Sequence, residues 1–117
     1  MDERDPILDI DALLGSVDGD CELLDEMAGT FTAEIPTWIS ELRAAVTRGD
    51  AETTFRVAHG VCGAASYVKS PAVQQAAAEL EAMGRGASLA GAGSALDRLE
   101  VGLSRLGAIL HTTPWRH

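Results

Sequence analysis

The stretch DGDCELLDEMAGTFTAEIPTWISELRAAVTRGD, from Asp18 to Asp50, decides the fold class. Its apolar residues stand at Leu24, Met27, Phe31, Ile35, Ile39, Leu42 and Val46. Steps of three and four keep side chains on one face of an α-helix, so the spacing predicts one long amphipathic helix. Pro36 lies inside it. A proline there removes a backbone hydrogen bond and crowds the preceding turn, but the stripe continues in phase beyond it, which predicts a kinked helix and not two helices. Gly49 closes the segment.

The same periodicity extends outward on both sides. Upstream, DIDALLGSV reads as a short helix with Asp9 or Asp11 as its cap and Gly15 as its stop; its Ile7, Ile10, Leu13 and Leu14 are expected to lid a larger body. Downstream, Asp50 caps a third helix over about 51–68, with a stripe of Phe55, Ala58, Cys62, Ala65 and Val68. Ser70-Pro71 restarts the chain, since proline is welcome in a helix's first turn. A fourth helix over about 71–84 carries Val73, Ala76, Ala77, Leu80 and Met83 and breaks at GRGAS; a fifth over about 90–110 carries Leu96, Leu99, Leu103, Leu106 and Leu110. That leucine stripe is too short for a sustained zipper and reads as core. The tail HTTPWRH, with His111 and His117, is expected to fray. Four sizeable amphipathic helices with short connections predict an all-α fold: an antiparallel four-helix bundle with a short N-terminal capping helix.

Composition narrows the function. A chain of 117 residues forms one domain with one core over about residues 7–110. Hydrophobic residues make up 46%, but the aromatics are only two Trp, one Tyr and two Phe, a palette that suits packed helices; Trp38 is expected to lay its ring on the bundle. Lysine occurs once, at Lys69, and the formal charge is -9, which argues against a nucleic-acid partner. The acidic start MDERDPILDIDALL is no secretory signal and no long apolar run exists, so a cytoplasmic protein without a membrane partner is expected. Cys21 and Cys62 fit neither a disulfide framework nor a zinc spacing.

The third helix carries the chemistry. His59 shares its face with Cys62, Gly63 and Ser66, three, four and seven residues on. A glycine within a helix costs roughly 1 kcal/mol relative to alanine, yet Gly60 and Gly63 flank this imidazole. Gly63 leaves open volume beside the ring; Gly60, on a different face, has no such account beyond letting a partner approach. The string AHGVCGAASYV, Ala58 to Val68, resembles the signature of the histidine phosphotransfer (HPt) domain family, and the Asp18–Asp50 helix with its proline and the stretch AAAELEAMGRGAS extend the resemblance over roughly residues 7–110.

The resemblance implies a phosphocarrier without autonomous catalysis, exchanging a phosphoryl group between His59 and receiver-domain aspartates. The partners would be response-regulator receivers or a hybrid sensor histidine kinase, with Mg²⁺ supplied by the receiver and no cofactor or metal of the carrier's own. A free imidazole titrates near pH ~6.5, so much of it is neutral at cellular pH and needs no special activation to attack. His59 is then the phospho-accepting residue and Gly63 its steric clearance. Glu81, on the neighbouring helix, could accept a hydrogen bond from the other ring nitrogen, and Arg85 could supply a cation; the two could equally be a surface ion pair. A monomer is expected, and the initiating methionine favours a free-standing protein over a domain of a hybrid kinase.

One departure from the family pattern stands out. Three residues after the histidine the family usually has lysine; this chain has Cys62, and Lys69 is too far along the helix to replace it. A redox role for Cys62 is the minor alternative to a small bundle-facing residue. The loss of that charge keeps open a second reading, a non-phosphorylated module that binds and regulates a receiver or sensor kinase, and a third, a purely structural bundle.

Overall fold

The first four helices each begin where a short polar side chain takes up a free backbone N–H group. In the computed structural model, which describes residues 7–116, Asp9 accepts from the Ala12 N–H and caps α1 (Ile10–Ser16), and Asp20 accepts from Leu23 and caps α2 (Cys21–Arg48). Asp50 accepts from Thr53 and caps α3 (Ala51–Tyr67), while Ser70 accepts from Val73 ahead of Pro71, the first residue of α4 (Pro71–Arg85). The last helix, α5 (Ala92–His111), has Gly91 at φ 82° in the cap position and no side-chain cap. Gly49 ends α2 in the left-handed conformation, at φ 71°. Pro36 lies inside α2, which runs on through it.

The four long helices form the expected all-α antiparallel bundle. Each packs on its chain neighbour, and α5 closes the ring against α2. Its core is built from one buried line per helix: Leu24, Phe31 and Leu42 from α2, Val61 and Ala65 from α3, Val73, Ala77 and Leu80 from α4, and the whole leucine stripe of α5. α1 lids one end, with Ile7, Leu8 and Leu13 buried and the Asp9 N–H donating to the Lys69 carbonyl at 2.9 Å. No helix among the described residues is long and apolar enough to cross a membrane.

Three expectations need correction. Gly15 does not stop α1; the helix continues to Ser16, and the chain reverses through Asp18 and Gly19, both at positive φ. The α3 stripe is rotated by about one residue from the sequence reading. Thr54, Val57, Ala58, Val61 and Ala65 are buried, whereas Phe55 and Cys62 sit half-buried at the flank facing α4. Thr54 tolerates complete burial because its hydroxyl donates to the Asp50 carbonyl at 2.9 Å.

The tail is the third. Rather than fraying, it turns at Thr113, φ 45°, and passes through Pro114 into a turn closed by the Arg116 N–H on the Thr113 carbonyl. Trp115 is left only 4% exposed. Its Nε1 donates to Asp25 Oδ1 at 2.9 Å, and the Arg116 guanidinium grips the same carboxylate. His117 lies outside the described residues.

Candidate functional site

His59 stands midway along α3, with 70% of its side chain exposed. Its partner is on α4: Nδ1 lies 3.1 Å from Glu81 Oε2. The Glu81 side chain is itself only 14% exposed, and the same Oε2 accepts from Arg85 Nη2 at 2.9 Å. One carboxylate oxygen therefore ties the imidazole to the guanidinium. With Nδ1–H donating to a carboxylate, the second ring nitrogen, Nε2, carries the lone pair and is left free to act as a nucleophile.

Phe55, one turn before His59, completes the setting. Its ring is stacked on the imidazole with centroids 6.0 Å apart and planes inclined by 25°, and Arg85 Cζ lies 5.3 Å from the Phe55 centroid. The sequence reading placed Phe55 in the core stripe and missed this role. The signal was present, because Phe55 and His59 are four apart on one helix.

The i+3, i+4 and i+7 neighbours divide. Cys62 turns toward α4, where its thiol donates to the Gln74 carbonyl at 3.6 Å; burial, followed by the charge of Glu81, pushes that thiol above its ordinary pKa. It is thus a neutral group at the α3–α4 seam. Gly63 and Ser66 are exposed on the face of His59. A Cβ added at Gly63 or at Gly60 would meet nothing within 4 Å, so the fold requires neither glycine. Among the described residues no group of three His, Cys, Asp or Glu side chains is placed to hold a metal ion.

On the other flank of α3, toward α2, the surface falls into a groove of about 280 Å³. Leu23, Met27, Phe31 and Trp38 of α2 and Ala64 and Tyr67 of α3 line it, with the Phe31 and Trp38 rings edge to face at 5.1 Å. Tyr67 is 65% exposed and Leu23 39%. Between groove and imidazole, α3 presents Gly60 and Gly63.

Comparison with known proteins agrees with this geometry. A family profile described as the Hpt domain matches residues 26–109. Two solved structures share the fold. Histidine-containing phosphotransfer protein B (HptB) from Pseudomonas aeruginosa PAO1 superposes with a TM-score of 0.85 at 24% identity, over 96% of this chain and 97% of that one. The HPT domain of an Hpt sensor hybrid histidine kinase from Shewanella gives 0.80 at 19% identity, over 92% of each chain. Among curated proteins none matches.

Proposed function

Since the chain belongs to the Hpt domain family, whose members are phosphocarriers of two-component signalling, we propose that His59 is the residue that carries the phosphoryl group. The observation that carries this reading is the orientation of a largely exposed imidazole by a shielded carboxylate at Nδ1, with open volume at Gly63.

The transfer follows from those atoms. The Nε2 lone pair attacks the phosphorus of a receiver's aspartyl phosphate; an N–P bond forms, the P–O bond breaks, and its electron pair returns to the aspartate as a free carboxylate. Positive charge that builds on the ring is shared through Nδ1–H with Glu81. The reverse sequence returns the phosphoryl group. The receiver's Mg²⁺ would offset charge on the phosphoryl oxygens, and this chain adds Arg85, held beside the imidazole by Glu81 and Phe55. Arg85 is the cation available where the family's usual lysine is replaced by neutral Cys62.

A single assay tests the reading against a binding module that never takes up phosphate. The protein is incubated with a phosphorylated receiver and Mg²⁺, and acid-labile label on the chain is followed. Label that appears on the wild type and is absent from His59→Gln is the expected result. No label from any cognate receiver overturns the carrier reading.

A further inference from the structure

Most arginines of this bundle are matched by acids: Arg43 by Asp97 and Glu100, Arg48 by Asp50, Arg85 by Glu81, Arg98 by Glu79 and Arg116 by Asp25. Arg56, Lys69 and Arg105 have no acidic partner among the described residues, and of these only Arg56 stands on α3. It is exposed, and Glu52, four residues earlier, is not within ion-pair distance of it. At ~100° per residue, Phe55 falls about 40° to one side of His59 and Arg56 about 60° to the other; going forward, Cys62 falls on the Phe55 side and Gly63 on the Arg56 side. Contacts identify the first side as the one facing α4, since Phe55 meets Arg85 and Cys62 reaches the Gln74 carbonyl. Arg56 and Gly63 therefore bound the other side of the imidazole, one a turn before it and one a turn after.

The ring itself leans toward Arg56. Its stacking on Phe55 places it over the preceding turn, as helical side chains lie, and that turn also carries Arg56. Nδ1 is directed at Glu81 on α4, so Nε2, on the opposite edge of the ring, points away from that carboxylate. Charge points the same way. Glu81 and Arg85 share one oxygen and sum to zero, and the Cys62 thiol is neutral, so together they offer a phosphoryl group no net positive charge. We propose that Arg56 binds the phosphoryl group carried on Nε2, donating from its guanidinium to the phosphoryl oxygens beside the volume left open at Gly63. This rests on the carrier reading of His59. Arg56 then supplies, from the turn before the histidine, the charge that Cys62 does not supply from the turn after.

The test uses the intact protein and phosphoramidate, a small donor that needs no docking surface. Nε2 forms the N–P bond as the P–N bond of phosphoramidate breaks, ammonia leaves with the electron pair, and Nδ1 keeps its proton. Initial rates of phosphohistidine formation, read by phosphorus NMR, are compared for wild type, Arg56→Gln, Arg56→Lys and Lys69→Gln. The last removes the same charge about 15 Å along the axis from His59, beyond the screening length of about 10 Å at 0.1 M salt. Arg56→Gln is expected to slow the reaction by roughly fivefold or more, Arg56→Lys to recover most of that loss, and Lys69→Gln to match wild type. The same order is expected with a phosphorylated receiver and Mg²⁺. Circular dichroism confirms that each variant is folded. Arg56→Gln at the wild-type rate with phosphoramidate overturns the proposal, as does a loss seen only with the receiver, which would place Arg56 in docking alone. Equal slowing by Lys69→Gln, or Arg56→Lys no faster than Arg56→Gln, also overturns it. Label on wild-type His59 with indifference to Arg56 would leave the carrier standing; no label on the wild type from either donor removes both readings.

Discussion

Glu81 turns an exposed imidazole into an oriented one, and under the proposed transfer it would also place negative charge near an incoming dianion. Arg85 offsets that charge by sharing the same oxygen. The pair therefore predicts an ordered series. Glu81→Gln keeps an acceptor for Nδ1–H and should lose little, whereas Glu81→Ala frees the ring and Arg85→Ala leaves the carboxylate uncompensated; each of the latter should slow transfer from a phosphorylated receiver by about tenfold. Initial rates of label transfer check the order, and Arg85→Ala at the wild-type rate would remove Arg85 from the site. Gly63 separates function from fold in the opposite sense. A side chain there meets no neighbour, so Gly63→Ala should stabilise the helix by up to about 1 kcal/mol. Gly63→Gln, reaching across the volume beside Nε2, should fold normally and lose roughly tenfold or more in transfer. Thermal melts and transfer rates on the same samples show whether the two properties part.

Gly84 lets the backbones of α3 and α4 approach closely. A Cβ at that position would lie 2.6 Å from the Phe55 backbone nitrogen and 2.8 Å from the Ala51 carbonyl oxygen. Backbone cannot yield as a side-chain tip can, so Gly84→Ala must push α4 away from α3, at an expected cost of about 2 kcal/mol. Because Glu81 and Arg85 lie on the same turn and the next, transfer by the folded fraction should fall as well; urea unfolding and transfer rates measure the two effects. None of this could be read from the sequence, since it depends on the distance between helices. What could be read were the elements with strong hydrophobic contrast. The leucines of α5 stand out from polar neighbours, and the expected 90–110 became Ala92–His111. In α3 the core and outer faces are both built of small residues, so the large Phe55 set the expected phase and drew the stripe one residue off. The meeting of His59 with Glu81 and Arg85 of α4 was readable because antiparallel pairing fixes which turns face each other, whereas the stacking of Phe55 depends on that corrected phase.

The C-terminal residues bind the last helix to the first turns of α2, and so close the bundle at the end that α1 lids. Trp115 was unreadable as core because a single aromatic after a helix-ending Thr-Thr-Pro carries no periodicity; its burial follows from the turn at Thr113 and from Asp25, which sits opposite. Trp115→Ala should cost about 3 kcal/mol, and a chain ending at His111 should lose a similar amount. Phosphorylation of the folded molecules should be unchanged, since the tail's polar contacts are with Cys21 and Asp25 of α2 and not with the His59–Glu81–Arg85 cluster. The contact also sets the response to acid. Hydrogen bonds from Arg116 and then Trp115 lower the Asp25 pKa, and those from Thr53, chiefly its hydroxyl, hold Asp50 down to about 2. A carboxyl whose folded pKa lies below its unfolded value near ~3.9 contributes stability that is fully present above that value. It is lost as pH falls through the folded one. The melting temperature should therefore stay level from neutral pH to about 5 and fall steeply between about 4 and 2. Asp25→Asn keeps an acceptor for Trp115 but forfeits the charge that Arg116 grips, so it should lower the neutral plateau and flatten the acid slope. A variant that lowers the plateau while leaving the slope intact would show that Asp25 acts through packing alone.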